Sequence, residues 1–301
     1  MEFRQGTSVD EALGWLADLG DAACVLAGGT DAMMQYARGE ISPAAFVHIE
    51  RIASMAEADH DGISRLGALL THRFLARDEA VRWRNPALAE AAATVGGWQT
   101  QAVGTLGGNI CNASPAADTA APLLVADAVV ELASSAGRRR LPLADFFLGR
   151  RKVDLRPDEL VTAIEVTPIG PAAGEVYLKV GRRGAMVVAV VGLAARLTFD
   201  GGGPAAGPGG AGRVSDARLA LCSVAPRPVR APEAERILVE GGGSADAVRE
   251  AARALGEVVA PIGDSRASAG YRREILGGLL ERAVACCRSR AASPAGEEAR
   301  A

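Results

Sequence analysis

The chain has 301 residues, 49% of them hydrophobic, with 33 basic and 36 acidic side chains and a formal net charge of −3. That is enough apolar material for one large core or two smaller ones. The slight negative balance and an aromatic content of 4% exclude a basic, base-stacking surface for nucleic acid. No apolar run approaches the ~20 residues of a membrane span, and Met1-Glu2-Phe3-Arg4-Gln5 lacks the apolar core of a signal peptide. A cytoplasmic location is expected.

Taken in chain order, Ser8 followed by Glu11 reads as a capping box that opens a helix to about Leu19. Residues 23–26 are a short apolar strand, which runs into the glycine loop Leu26-Ala27-Gly28-Gly29-Thr30-Asp31. Residues 46–49 and 62–66 read as strands and 85–93 as a helix. A second glycine loop follows, Gly104-Thr105-Leu106-Gly107-Gly108-Asn109, with Ala117-Asp118 shortly after it. Residues 122–126 suit a buried helix and 127–132 a strand. Arg138-Arg139-Arg140 has no interleaved aromatic residue and reads as a solvated hairpin surface, contact with a partner being the alternative. Beyond the strand Ala163-Ile164-Glu165-Val166, the breakers Pro168, Gly170, Pro171 and Gly174 mark the start of a second domain. There, 187–197 and 218–225 read as paired strands. They flank a Gly/Pro/Ala stretch at 201–212 that is too poor in side chains to build a core and is expected to be a flexible hairpin loop. Residues 245–259 and 272–287 are helical by spacing.

The two glycine loops carry the chemistry. Glycine permits positive φ and close approach of a ligand, and consecutive exposed N–H groups form a concavity suited to a diphosphate. Neither loop has the Gly-x-x-x-x-Gly-Lys or Gly-x-Gly-x-x-Gly spacing, so a Walker or Rossmann site is not expected. Each loop taken alone is equally a tight turn; two of them suggest a clamp on a dinucleotide. The cysteines, Cys24, Cys111, Cys222, Cys286 and Cys287, form no Cys-x-x-Cys pair and their number is odd. Neither a disulfide framework nor a zinc or iron–sulfur site is expected within the chain. Cys24 and Cys222 read as small buried hydrophobes, Cys111 as more exposed, and the adjacent Cys286-Cys287 as a candidate for oxidation. His72, a lone histidine, is ambiguous between local structure and acid–base work.

Together these segments resemble the flavin-binding (medium) subunit of the molybdenum hydroxylases, the family of xanthine dehydrogenase and carbon monoxide dehydrogenase. The resemblance spans nearly the whole chain. It rests on Ala27-Gly28-Gly29-Thr30-Asp31, on Gly104-Thr105-Leu106-Gly107-Gly108-Asn109 leading through Asn112-Ala113-Ser114-Pro115 to Asp118, on Leu66-Gly67-Ala68 with Thr71-His72, on Tyr177-Leu178-Lys179 with Arg182-Arg183, and on Asp264-Ser265-Arg266-Ala267-Ser268-Ala269 with Tyr271-Arg272-Arg273. It departs from the family pattern at Gln101-Ala102, at Ala32-Met33-Met34 and at Val187.

The resemblance implies an α+β fold with a two-subdomain FAD-binding region of the PCMH/vanillyl-alcohol-oxidase type at 1–170 (subdomains about 1–55 and 56–170). A C-terminal α+β domain with an antiparallel sheet follows at 171–288, and 289–301 is expected to be a disordered tail. It also implies noncovalent FAD. Leu26, Ala27, Gly28, Gly29, Thr30, Asp31, Ala32 and Met33 would line the pyrophosphate. Thr105, Gly107, Gly108 and Asn109 would contact phosphates and ribitol, Asp118 the ribose or adenine side, and Lys179 the isoalloxazine; Leu160 completes the cofactor-binding set. No catalytic side chain and no metal ligand is expected. Molybdopterin and 2Fe-2S clusters would sit on partners, a large subunit and an iron–sulfur small subunit of a heterotrimer, with electrons leaving to NAD or another acceptor. The alternatives are a self-contained flavin oxidoreductase and a noncatalytic nucleotide-binding assembly subunit.

Overall fold

The computed structural model describes residues 1–200 and 212–292. The loop expected at 201–212 falls, save for Gly212, outside the described residues, as does the tail from 293 onward. The chain divides into two compact units, each built from discontinuous segments.

Unit 1 comprises Met1–Phe74, Gly97–Ser114 and Asp127–Val166. Its first sheet is parallel, with Ala45–His48 between Glu2–Gln5 and Ala23–Leu26. Parallel pairing requires crossovers, and the first is the helix Val9–Leu19. The Ser8 hydroxyl accepts from the Glu11 N–H at 3.2 Å, and the Glu11 carboxylate accepts in turn from the Thr7 N–H at 2.9 Å, so the expected cap forms with its return bond one residue upstream. The second sheet has five strands in the order Ala58–Asp59, Ser64–Gly67, Leu160–Val166, Val129–Ser134, Gly137–Pro142, all antiparallel. Ser64–Gly67 begins two residues later than the expected strand because Gly62, at φ +71°, makes the turn that precedes it. The arginine run lies in the edge strand Gly137–Pro142. Arg139 pairs with Asp154 and Glu159 and Arg140 with Glu165, which blunts an edge that would otherwise offer free ladder groups.

Unit 2 comprises Leu75–Gly96, Pro115–Ala126 and the chain from Thr167 onward. Its antiparallel sheet runs Ala173–Val180, Val191–Asp200, Arg213–Cys222, Val229–Arg230. Strand alternation sorts its two faces. Val176, Leu193, Ala195, Leu197, Leu219 and Leu221 join the core formed with Pro232–Glu240, Ala245–Val258 and Leu276–Ala291. Glu175, Tyr177 and Lys179 turn to the other face, where they bond to residues of the Pro86–Thr94 helix and to Asp118. On that face the buried Glu175 carboxylate pairs with Arg196, and it also accepts from the Ala87 N–H at 3.1 Å.

Two expected elements of unit 2 are corrected. The strand expected at 187–197 begins at Val191, because the Val190 N–H closes the hairpin on the Val180 carbonyl at 2.7 Å and 181–190 is spent on the turn. The helix expected at 272–287 is two helices, Ala269–Glu274 and Leu276–Ala291. The first starts early because the Ser268 hydroxyl accepts from the Tyr271 N–H at 3.1 Å. Cys287 is fully buried, its thiol 3.6 Å from the Ala195 carbonyl, so the oxidation reading does not hold for it.

Candidate functional site

The first glycine loop leaves the strand Ala23–Leu26 and enters the helix Ala32–Ala37. Gly29 sits at φ +70°, a left-handed turn that a side chain would strain. A Cβ on Gly28 would collide with the carbonyl of Val103, so here the glycine serves close packing of the first loop on the approach to the second. Among the described residues no hydrogen bond takes the N–H groups of Gly28, Gly29, Thr30, Asp31 or Ala32. Gly28, Gly29 and Thr30 are half-buried and Asp31 and Met33 are exposed. Consecutive free amides at a helix start are an anion-binding arrangement.

The second loop is built differently. Its amides are spent inside unit 1: the Leu106 N–H donates to Leu70 at 2.9 Å, Gly107 to Ala68 at 2.8 Å, Gly108 to the Thr105 hydroxyl at 3.1 Å, and Asn109 to the Thr105 carbonyl at 3.0 Å. Gly104 donates to Thr100 at 2.7 Å and accepts from the His72 N–H at 3.0 Å. A Cβ on Gly107 would lie 2.7 Å from the Ala68 Cβ and 2.9 Å from its carbonyl. Thr105 and Gly107 are buried, whereas Gly108 is exposed and Asn109 half-buried. Only the last two stand at the surface. Leu160, also in unit 1, is buried at the head of its strand and paired with Ala133.

His72 belongs to the second loop's support. Its ring is 2% exposed, and burial pushes its pKa down to about 4, so the imidazole is neutral at pH 7. Its Nδ1 is sealed from solvent with no hydrogen-bond partner among the described residues. Beside the loop, burial also raises the Cys111 thiol to about 12, which leaves it unreactive.

Asp118 and Lys179 come together within unit 2. The Lys179 ammonium donates to Asp118 Oδ2 at 2.7 Å and to the Thr94 carbonyl at 2.9 Å, while the Tyr177 hydroxyl donates to Asp118 Oδ1 at 2.6 Å. Both charged side chains are less than 9% exposed, so Lys179 is a buried ion-pair partner and not a surface cap. Burial raises the Asp118 pKa, against the charge and hydrogen bond of Lys179 and the hydrogen bond of Tyr177. Tyr177 and Lys179 share a face because they are two apart in one strand. Gly192 makes room for the tyrosine: a Cβ there would strike both the Tyr177 hydroxyl and the Cys222 sulfur. Burial raises the Cys222 thiol to about 12. The roles of Tyr177, Gly192 and Cys222 were not read from the sequence; the only available signal was the two-residue spacing of Tyr177 and Lys179.

The terminal signature does structural work. Asp264 accepts from the Arg266 and Ala267 N–H groups and pairs with Arg272, whose buried guanidinium also donates to the carbonyls of Val190 and Ser223. Arg182 donates to the Ser265 carbonyl at 3.0 Å. Among the described residues there is no cluster of three or more His, Cys, Asp or Glu able to hold a metal, and no helix is long and apolar enough to cross a membrane. The free amides of the first loop fit a nucleotide cofactor held through phosphate.

Comparison with known proteins agrees with this chemistry. Residues 1–168 match the FAD binding domain in molybdopterin dehydrogenase, and 176–287 the CO dehydrogenase flavoprotein C-terminal domain. The chain is 30% identical to the xanthine dehydrogenase FAD-binding subunit of Escherichia coli, over 94% of each chain. It is 32% identical to the glyceraldehyde dehydrogenase medium chain of Sulfolobus acidocaldarius, over 91% of this chain and 93% of that one. A solved carbon monoxide dehydrogenase from Hydrogenophaga pseudoflava superposes with a TM-score of 0.89 at 30% identity, covering 96% of this chain and 98% of that one. The glycine loops and the antiparallel C-terminal sheet are therefore those of a flavoprotein, and the chain belongs to the family of FAD-binding medium subunits of the molybdenum hydroxylases.

Proposed function

We propose that this subunit is the electron outlet of a molybdenum-containing hydroxylase or dehydrogenase, taking electrons from an iron–sulfur partner into noncovalent FAD and passing them to NAD or another acceptor. The observation that carries the reading is the row of free N–H groups from Gly28 to Ala32. FAD supplies the redox chemistry when bound; the protein supplies position and electrostatics. In this reading residues 26–33 hold the pyrophosphate, Gly108 and Asn109 offer the surface groups of the second loop, and Thr105, Gly107 and Leu160 shape the cofactor-binding region from within. Asp118 holds the Lys179 ammonium fixed within unit 2, so the pair is a dipole with little net charge and not a lone cation.

Relatives named as medium chains and as a subunit of a dehydrogenase complex support partners that carry the molybdenum cofactor and the iron–sulfur clusters. A cytoplasmic location goes with this reading and is tested by cell fractionation. For the central claim, the chain is purified with its coexpressed partners, the flavin released by heat is counted, and NADH is added under anaerobic conditions. One FAD per chain, bleached by NADH, is the expected result. FAD that dithionite bleaches and NADH does not would move the assignment to another acceptor, and absence of FAD with partners present would overturn it.

A further inference from the structure

Little holds the first glycine loop in place. Among the described residues, no hydrogen bond joins residues 27–34 to another segment of unit 1; the main-chain bonds there are local, from the Met33 N–H to Gly29 at 3.1 Å, from Gln35 to Asp31 at 2.9 Å and from Arg38 to Met34 at 3.1 Å. A segment so sparsely bonded opens easily, and its free amides then have no fixed aim. At the start of the segment Gly28 packs on the Val103 carbonyl. Towards its end Tyr36 rests edge-on against Phe46, an apolar contact without a direction of its own. The directional contact is made by Gln35, in the helix Ala32–Ala37, whose Nε2 donates to Asn112 Oδ1 at 3.0 Å.

That acceptor stands on the scaffold loop's own helix. Asn112 is the last residue of the helix Leu106–Asn112, whose first turn is bonded to Leu70 and Ala68. The exit is held as well, because the Ala113 carbonyl accepts from the Arg151 N–H at 3.0 Å. Gln35 and Asn112 are both half-buried, which gives their bond some shelter from water. The ion pair of Glu40 with Arg151, a few residues on, is exposed and long at 3.8 Å and adds little.

We propose that Gln35 is a positioning residue for the cofactor: through Asn112 it ties the ligand loop to the helix of the scaffold loop, and so holds the amides of residues 28–32 in the arrangement that takes the pyrophosphate. The inference rests on the reading that the first loop binds FAD. Gln35 is not asked to touch the cofactor. What it supplies is preorganisation, the fraction of chains whose loop is already in place.

The test uses Gln35→Met, which keeps the length and helix preference of the side chain without its amide, Asn112→Leu, which does the same at the acceptor, and the double variant. Full-length chains stripped of flavin are mixed rapidly with FAD, association and dissociation are followed by quenching of its fluorescence, and each apoprotein is melted in parallel. Association should slow about fivefold in each single variant and no further in the double one. Dissociation should stay within about twofold, and the melting points within about 3 °C of the unsubstituted apoprotein. A residue that only stabilises the fold would lower the melting points and leave association alone; a residue that touches FAD would speed dissociation. Either result, or losses that multiply in the double variant, overturns the proposal. If Asn112→Leu does not fold, Asn112→Ala takes its place. Failure of the unsubstituted chain to take up FAD would instead remove the underlying reading.

Discussion

Between residues 28 and 32 five consecutive N–H groups have no partner among the described residues, whereas from Leu106 to Asn109 every amide is taken by Ala68, Leu70 or Thr105. The residue vocabulary of the two loops is nearly the same: two adjacent glycines, a threonine, a short polar side chain. The backbone work is not. In the first loop glycine gives a left-handed turn at Gly29, and the donors around it stay unbonded among the described residues; in the second, glycine lets the chain press against Ala68 and His72. A ligand loop and a scaffold loop are thus told apart by where the amides go, which is a question about every buried polar group.

Gly107→Val should break this contrast most violently. The added carbons meet Ala68 side chain and main chain, and overpacking of that kind costs about 3 kcal/mol. We expect loss of soluble protein and of FAD together; a well-folded variant lacking only FAD would show the second loop to be a ligand loop after all. Acidification comes next. The His72 pKa lies near 4 in the fold against 6.5 for the free group, so the fold prefers the neutral ring. Stability from this group is complete above pH 6.5 and falls as the pH drops toward 4, by about 2 kcal/mol at pH 5. Melting curves from pH 7 to pH 5 should show that loss, and His72→Phe should lack it.

Gly29→Ala, at φ +70°, should cost about 1 kcal/mol in strain, seen as a drop of a few degrees in Tm, and weaken FAD binding about tenfold by re-aiming the free amides. Equal loss of apo and FAD-bound stability would argue that the first loop is only a turn. The smallest effect is expected from Thr105→Ala. It removes the hydroxyl that caps Gly108, worth about 1 kcal/mol, and should leave FAD affinity nearly unchanged. A large loss of affinity would give Thr105 a direct role in binding.

Many of the local elements could be read from local pattern, and the unread part depended on distant segments. The cap at Ser8, the strand before Gly28 and the helix Pro86–Thr94 are decided by neighbours in sequence, and they stand close to where periodicity placed them. The fate of the Leu106 and Gly107 amides is decided by Leu70 and Ala68, far back in the chain, so the neighbours in sequence do not by themselves separate the two loops. Gly192 could not be recognised either, since its reason is the Tyr177 hydroxyl two residues from its partner in the neighbouring strand. Glu175 and Arg196 sit in strands where a charge reads as solvent-facing, yet both are buried because they face each other across the sheet. Charges that cancel in the fold look alike in sequence to charges that are solvated.

The discontinuous make-up of the two units sets an order of events during synthesis. Everything unit 1 needs has been made once Val166 is joined. Unit 2 is less fortunate: its helices Pro86–Thr94 and Ala120–Val125 emerge early, and the strands they belong with, Ala173–Val180 and Arg213–Cys222, come only after unit 1 is complete. For that interval the nascent chain carries apolar alanine- and leucine-rich helices without their sheet, which makes them a natural stop for a chaperone. A gene cut at Pro168 would extend that interval indefinitely, leaving a flavin domain with two unclaimed helices and a C-terminal sheet with one face bare.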